Sequence, residues 1–192
     1  YVFDGTKNGA YEEDDPTGPL NVYGKSKLAG EQAVEQVGGK CFVFRTSWVY
    51  GARGRNFLRT MLRLATERSE LSIVADQVGA PTWSGTIAAL TAHIATQALV
   101  EHRHDDGWWS ERVGVYHLTA AGSTSWAEFA EAIFELAPLA QRPTINAITS
   151  DKYPTPAMRP RNSRLSNAKL FSAFDLLAPD WKKALGVCVG TM

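Results

Sequence analysis

The sequence has little of what marks secreted, membrane or nucleic-acid-binding proteins. Its only cysteines, Cys41 and Cys188, form neither a disulfide framework nor a metal-ligand spacing, so we expect a reducing, cytoplasmic setting. Twenty basic and twenty acidic residues leave no net charge, which argues against nucleic acid as a partner. No apolar run approaches the ~20 residues of a membrane span, and we find no signal peptide.

What is present is typical of a globular protein. Hydrophobic residues make up 44% and charged residues 21% of the 192 residues, enough for one ample core or two small lobes. The first residue is Tyr1, not Met, and the chain opens directly into a strand-like run that ends in the turn Asp4-Gly5. We therefore expect the C-terminal part of a longer protein, or a gene product missing its start.

The most informative local feature is the run Tyr23-Gly24-Lys25-Ser26-Lys27. Positions i and i+4 lie on one face of a helix, so Tyr23 and Lys27 stand one turn apart. A nearby cation lowers the pKa of a phenol from about 10, and the phenol can then exchange a proton with an alkoxide or alcohol. For an isolated match, a solvated lysine beside a half-buried tyrosine is the alternative.

Strand-like and helix-like segments alternate along the chain. The pattern predicts strands at 41–44, 71–74, 115–118 and 144–148, and helices at 22–37, 56–68, 84–100 and from Ser125 onward, with two short helices after Ser166 and Pro179. Ser84 is expected to cap its helix, Ser125 and Glu128 have capping-box spacing, and 101–112 and 151–165 read as loops. The order predicts an α/β fold with a largely parallel sheet.

Two features of this arrangement bear on a site. Ligands of parallel α/β sheets bind outside the carboxyl ends of the strands, which places Thr46, Ser47 and Trp48 beside the helix that carries the tyrosine and lysine. On that helix we expect an apolar stripe formed by Val22, Ala29, Ala33 and Val37. We expect a second face, on which the glycine permits close approach, formed by Tyr23, Lys27, Gly30 and Val34.

Several motifs together resemble a known family. The segments are Tyr1-Val2-Phe3-Asp4-Gly5, Pro19 to Glu31, Arg45 to Tyr50, Asn56-Phe57 with Thr60-Met61-Leu62, Asp76-Gln77 with Gly79-Ala80-Pro81-Thr82, and Tyr153-Pro154 with Arg159-Pro160-Arg161-Asn162-Ser163. The sequence resembles the extended short-chain dehydrogenase/reductases and, within them, the dTDP-4-dehydrorhamnose reductases. The resemblance spans nearly the whole chain.

The resemblance implies a fold and a reaction. The fold would be the C-terminal part of a Rossmann-like doubly wound parallel sheet, contributed by 1–50 and 84–120, plus a small α/β substrate-binding lobe, contributed by 51–83 and 121–192. The reaction would be the NADPH-dependent reduction of the C4 ketone of dTDP-4-dehydro-L-rhamnose to dTDP-L-rhamnose, with NADH as an alternative cofactor and a dTDP-sugar as the small-molecule partner. A homodimer is one alternative for the assembly, which the residues leave open.

The resemblance also implies residue roles. Tyr23 would protonate the C4 oxygen, and Lys27 would lower the pKa of that phenol and hydrogen-bond the nicotinamide ribose. Thr46 and Ser47 complete the expected cofactor-binding set, and Trp48 matches a sugar-contacting tryptophan of the family. From residue chemistry rather than from the resemblance, Arg161 is the best candidate for binding the substrate's diphosphate, because a guanidinium forms paired, charge-assisted hydrogen bonds.

The sequence also departs from the family pattern. The third catalytic hydroxyl belongs to a Ser-Thr-Asp run that would precede Tyr1, and the Gly-rich dinucleotide loop is absent; Gly51-Ala52-Arg53-Gly54 lacks the third glycine and reads as a plain loop. We therefore expect the isolated chain to bind NADPH very weakly, to turn over negligibly, and to expose a sheet edge.

Some readings stay open. Asn56 is either a substrate-binding residue or only a helix N-cap. The run Glu12-Glu13-Asp14-Asp15 is either a Mg²⁺ site or a charged loop, and the arginines around Arg161 are either diphosphate ligands or a solvated loop. His117 reads as a satisfied core or rim histidine. For the whole, the alternatives are a related nucleotide-sugar epimerase or dehydratase, and a catalytically silent regulatory relative.

Overall fold

The computed structural model describes residues 1–153 and 155–192. Pro154, part of a quoted motif, lies outside them. The helices are α1 (Val22–Val37), α2 (Phe57–Glu67), α3 (Ser84–Thr96), α4 (Asp106–Arg112), α5 (Trp126–Leu136), α6 (Ala168–Phe174) and α7 (Trp181–Gly190). The strands are β1 (Phe42–Arg45), β2 (Val49–Tyr50), β3 (Glu70–Val74), β4 (Val78–Gly79), β5 (Thr82–Trp83), β6 (Gly114–His117), β7 (Thr124–Ser125) and β8 (Thr144–Ile148). None of these helices combines the length and hydropathy of a membrane span.

The strands pair mostly in parallel. β1 pairs with β6, β2 with β5, and β3 with β8, all parallel, whereas β4 and β7 form an antiparallel pair. The predicted α/β fold with parallel strands is therefore confirmed. Within the described residues, however, the strands form four separate pairs rather than one continuous sheet. β1 is half-buried, and among the described residues it has a strand partner on one edge only.

Most of the apolar core gathers around α5. The predicted capping box is confirmed: the Ser125 hydroxyl accepts from the Glu128 N–H, and the Glu128 carboxylate accepts from the Ser125 N–H. Phe129, Ala130, Ile133 and Phe134 of the same helix are all buried against α2, β3 and α7. A second core lies between α3, α4, β6 and α6 and includes Ile94, Trp108, Trp109, Tyr116, Leu170 and Phe174.

Helix α1 has the predicted bounds but not the predicted faces. It begins after Asn21, whose side chain accepts from the Gly24 N–H, and it ends at Gly38. The apolar stripe is wrong, since Val22 and Val37 are over 80% exposed. The close approach occurs at Gly24, not at the expected Gly30: a Cβ at Gly24 would collide with the backbone of the first residue, while nothing lies within 4 Å of the corresponding point at Gly30. α1 therefore touches the rest of the chain through few side chains.

Two further expectations, on the start of α3 and on the loop at 101–112, are wrong. Ser84 does not cap α3, which begins at Ser84 itself without a side-chain cap and continues into a π-helical turn at Gln97–Glu101. The predicted loop 101–112 contains α4, because Asp105 caps it by accepting from the Trp108 N–H. Trp108 and Trp109 can then both be buried, which an exposed loop would not allow.

Candidate functional site

A cavity of about 500 Å³ lies at the carboxyl end of β1, and we call it cavity 1. It is bounded by the start of the chain, one side of α1, the residues after β1 and the loop at 160–165. Its lining includes the five residues that the sequence places at a cofactor or sugar site, namely Tyr23, Lys27, Thr46, Ser47 and Trp48. The chain thus brings together two groups of residues that lie 19 to 25 positions apart in the sequence.

The tyrosine and lysine face each other as the helical spacing requires. The Lys27 Nζ lies 5.3 Å from the centroid of the Tyr23 ring, within the range of a cation–π contact. Tyr23 is 58% exposed, and the Tyr1 ring meets its edge at 6.0 Å. Within the part of the chain that the structure describes, Lys27 makes no ion pair. The phenol and the ammonium are both available to a ligand in cavity 1.

One turn further along α1 lies an ion pair that the sequence did not reveal. The Arg45 Nε and Nη2 donate to the Glu31 carboxylate at 3.0 and 2.8 Å, and the two side chains are 10% and 13% exposed. Arg45 also donates to the Glu13 carbonyl and lies over the Phe3 ring. A paired, nearly buried guanidinium and carboxylate fix geometry, so this pair joins α1 to β1 directly below Lys27.

The buried His117 at the end of β6 belongs to the same charged group. The backbone N–H of His117 donates to the Glu13 carboxylate at 2.7 Å. Neither nitrogen of the imidazole ring has a hydrogen-bond partner among the described residues, so the expectation of a satisfied histidine is wrong. Burial lowers the pKa of His117 to about 4, and the Arg45 cation adds to this. The nearby carbonyls of Tyr11 and Ser166 fall short of hydrogen-bond geometry, and their pull on the pKa towards the charged ring is smaller than the effect of burial. His117 is therefore neutral near pH 7.

Trp48 is held in an unusual backbone conformation. Its φ is +48°, in the left-handed region that bulky residues rarely adopt. Its ring stacks on Trp126 with centroids 3.6 Å apart and planes 9° apart. Gly79 lies against the same indole, where an added Cβ would be 2.6 Å from Trp48 Cε2, so only glycine fits there. The positions of Trp126 and Gly79 were not anticipated from the sequence as parts of the site.

A second and larger cavity, cavity 2, has a volume of about 1170 Å³. Arg161, which the sequence assigned to a diphosphate, lines cavity 2 and does not line cavity 1. Its charged lining consists of the arginines Arg68, Arg159 and Arg161 and the carboxylates Asp4, Glu70 and Asp151. Its apolar lining includes Phe57, Met61, Leu64 and Ile73 from α2 and β3. The arrangement suits a ligand with one anionic and one flat apolar part.

Asn162 ties the arginine loop to the start of the chain. Its amide donates to the carbonyls of Lys7 and Gly9 at 2.8 and 2.6 Å, and its oxygen accepts from the backbone N–H and Nε of Arg164. The backbone on either side of Asn162 pairs with β4, because the Val78 N–H donates to the Arg161 carbonyl and the Val78 carbonyl accepts from Ser163. These bonds hold the loop between the two cavities.

Two other predicted positions have local partners. Asn56 caps α2, accepting from the Arg59 N–H and donating to the carbonyls of Gly51 and Arg53, and it lines neither cavity. In the acidic run, Asp15 pairs with Lys7 at 2.5 Å, and the Glu13 side chain is only 6% exposed. The described residues contain no cluster of His, Cys, Asp or Glu arranged to hold a metal ion.

Comparison with known proteins gives the family. The sequence profile described as "RmlD substrate binding domain" matches residues 1–192. The chain belongs to this family. It is 54% identical over 98% of its length to a dTDP-4-dehydrorhamnose reductase of Burkholderia thailandensis, and 46% identical over 95% to one of Escherichia coli K12. This RmlD-family chain covers 64% and 60% of those two relatives, so it spans about three-fifths of their length.

A solved structure agrees with the family assignment. The dTDP-4-dehydrorhamnose reductase of Bacillus anthracis, crystallised in complex with NADP, superposes on the whole RmlD-family chain with a TM-score of 0.88 at 34% identity. The chain again covers 63% of that protein. The Rossmann-like fold expected from the resemblance is thus confirmed.

Proposed function

We propose that this chain carries the proton-donating and sugar-binding side of an NADPH-dependent reductase that converts dTDP-4-dehydro-L-rhamnose to dTDP-L-rhamnose. The observation that carries the proposal is the shared lining of cavity 1, in which Tyr23 and Lys27 face Thr46, Ser47 and Trp48. The relatives named for this reaction, which match nearly all of the chain, support it.

The proposed proton donor is Tyr23. Its hydroxyl gives a proton to the C4 oxygen as the ketone becomes an alcohol, and the product therefore gains one proton from the protein. The Lys27 ammonium stabilises the negative charge that the phenol oxygen acquires. The phenolate stays paired with this cation until a proton from solvent restores the phenol. Trp48 presents its indole to the sugar at the same wall of the cavity.

The lining of cavity 1 fits the nicotinamide end of the cofactor. An ammonium and two hydroxyls, from Lys27, Thr46 and Ser47, are donors of the kind that bind ribose hydroxyls, and the ammonium has no protein partner among the described residues. Bound NADPH would supply the hydride that reaches C4. The chain's own residues orient the ribose and keep the phenol close to the reacting oxygen.

The substrate's diphosphate is assigned to cavity 2. Arg159 and Arg161 offer planar guanidinium groups that pair with phosphate oxygens, and the apolar wall formed by α2 and β3 suits a nucleoside base. We also propose, as the family resemblance implies, a substrate lobe of 51–83 with 121–192 and a cofactor lobe of 1–50 with 84–120. The homodimer and the cytoplasmic setting stay predictions.

A chimera tests the proposal. In it, this chain replaces the matching segment of the Burkholderia thailandensis relative, so that the remaining length comes from that protein. We expect loss of NADPH absorbance that depends on the 4-keto sugar nucleotide. Tyr23→Phe should lower kcat about 100-fold or more while KM changes by less than about threefold, because only proton transfer is lost.

The matched control is Tyr116→Phe, which removes a phenol that donates to the Arg112 carbonyl away from both cavities. Its kcat should equal that of the unmodified chimera. Unchanged turnover in Tyr23→Phe would show that the phenol is not the acid. An inactive chimera beside an active relative would favour the silent regulatory alternative.

A further inference from the structure

Trp126 is the single residue, among those described, that lines both cavities. It is the first residue of α5, and the Ser125–Glu128 capping box fixes the backbone there. One indole therefore forms a wall of the space around Tyr23 and also of the space around Arg161. Trp126 therefore marks the junction of the two cavities.

The ring of Trp126 is immobilised by aromatic neighbours. Trp48 stacks on it at 3.6 Å, and Phe57 of α2 lies 4.7 Å away at an angle of 46°. Gly79 also lies against the Trp48 indole, where an added Cβ would be 2.6 Å from Cε2. Trp126 and Gly79 thus both contact the ring of a residue that has a left-handed backbone.

The chemistry of the two cavities differs in a way that suits one ligand class. Cavity 2 offers guanidinium groups for phosphate, and cavity 1 offers a phenol and an ammonium for an oxygen-rich ring. Building on the proposed function, we infer that Trp126 is a specificity-determining positioning residue, which supports the Trp48 indole and seats the hexose of a nucleoside diphosphate sugar at the junction of the cavities. A nucleoside diphosphate without the hexose would be held by cavity 2 alone.

The test compares two ligands on the 192-residue chain. Isothermal titration measures the Kd of dTDP and of dTDP-glucose for the unmodified chain, Trp126→Ala and Trp126→Phe. We expect Trp126→Ala to weaken dTDP-glucose binding about tenfold, the upper range for loss of one aromatic contact, and to change dTDP binding less than about twofold. Trp126→Phe keeps a smaller ring on Trp48, and its Kd for dTDP-glucose should lie between those of the unmodified chain and Trp126→Ala.

The matched control is Trp181→Phe. Trp181 packs edge-on against Phe129 at 6.0 Å on the opposite side of the α5 core and lines neither cavity. Its two Kd values should equal those of the unmodified chain. The exciton couplet that a stacked Trp48–Trp126 pair gives in circular dichroism should persist in Trp181→Phe and vanish in both Trp126 variants.

The outcomes separate the inference from the proposed function. Equal weakening of both ligands, or no weakening of either, in the folded Trp126 variants would overturn the role of Trp126 alone. If Trp126→Ala does not fold, the ratio of the two Kd values in Trp126→Phe decides the matter in the same way. Failure of the unmodified chain to bind dTDP would overturn the proposed function, and this inference with it.

Discussion

Helices α1 and α5 belong to the same chain and both have side-chain N-caps, yet they are held in different ways. α5 buries six of its eleven residues, including Phe129 and Ile133, against three other elements. α1 has sixteen residues and buries only Gly24. Its other attachments include the contact of Tyr23 with the Tyr1 ring, the packing of Leu28 on the cluster of Val2, Phe3 and Tyr11, and the Glu31–Arg45 ion pair.

The two helices differ in role, because α5 contributes folding stability and α1 carries the proposed reactive side chains. Apolar burial is the main source of folding free energy, so α5 belongs to the most stable part of the chain. The helix that carries Tyr23 and Lys27 depends instead on a few polar contacts, which fix direction more than they add stability. We therefore expect substitutions at α5 to unfold the whole chain and substitutions below α1 to loosen that helix alone.

The largest expected effect is that of Phe129→Ala. Phe129 is fully buried and contacts the rings of Tyr50, Phe57 and Trp181, so its removal leaves a cavity in the main core. The free energy of unfolding in urea should fall by about 3–5 kcal/mol. Leu136→Ala, at a 40% exposed position of the same helix, should cost about 1 kcal/mol or less. Equal losses would contradict the assignment of the core to α5.

Next is Glu31→Gln, which leaves the Arg45 cation without its carboxylate. Removing one partner of a nearly buried pair costs about 3 kcal/mol, and we expect that cost to appear locally, as faster amide hydrogen exchange in α1. Glu67→Gln breaks the exposed Arg63–Glu67 pair of α2 and should cost about 0.5 kcal/mol. If exchange in α5 rose as much as in α1, the two helices would not be independent.

The third effect depends on pH. His117 has a pKa of about 4 in the folded chain and 6.5 in the unfolded chain. Between pH 6.5 and pH 4 the unfolded chain therefore binds more protons than the folded chain, so the free energy of unfolding decreases as the pH is lowered through this range. From pH 7 to pH 5 the loss should be about 2 kcal/mol. The measurement is urea unfolding at both pH values, and His117→Leu should lack this loss. His93→Leu, at an exposed position of α3, should keep it.

The smallest effect concerns the cap of α5. Ser125→Ala removes the hydroxyl that accepts from the Glu128 N–H and should lower the unfolding free energy by about 1 kcal/mol. Ser84→Ala is the control, because Ser84 makes no cap bond at the start of α3, and its change should be within about 0.5 kcal/mol. A similar loss in both variants would mean that the capping box adds nothing.

The elements with strong local signals were predicted well. The bounds of α1 and the Ser125–Glu128 box of α5 follow from contacts within a few residues of the chain, so their sequence signals are complete. For Asn56 the sequence left a substrate contact and an N-cap open, and the structure shows the cap. The predicted loop at 101–112 was wrong because the burial of Trp108 and Trp109 depends on Phe42 and Phe174, which are distant in sequence.

The site shows the same division. The spacing of Tyr23 and Lys27 on one helix face, and the position of Thr46, Ser47 and Trp48 at the end of a strand, could be read from the sequence because they follow from helical period and strand direction. The sequence did not predict three other features of the site. These are the Glu31–Arg45 pair, the buried charged groups around His117 and the stacking of Trp126 on Trp48. They were decided only by the tertiary structure, because each joins segments between 14 and more than 100 residues apart.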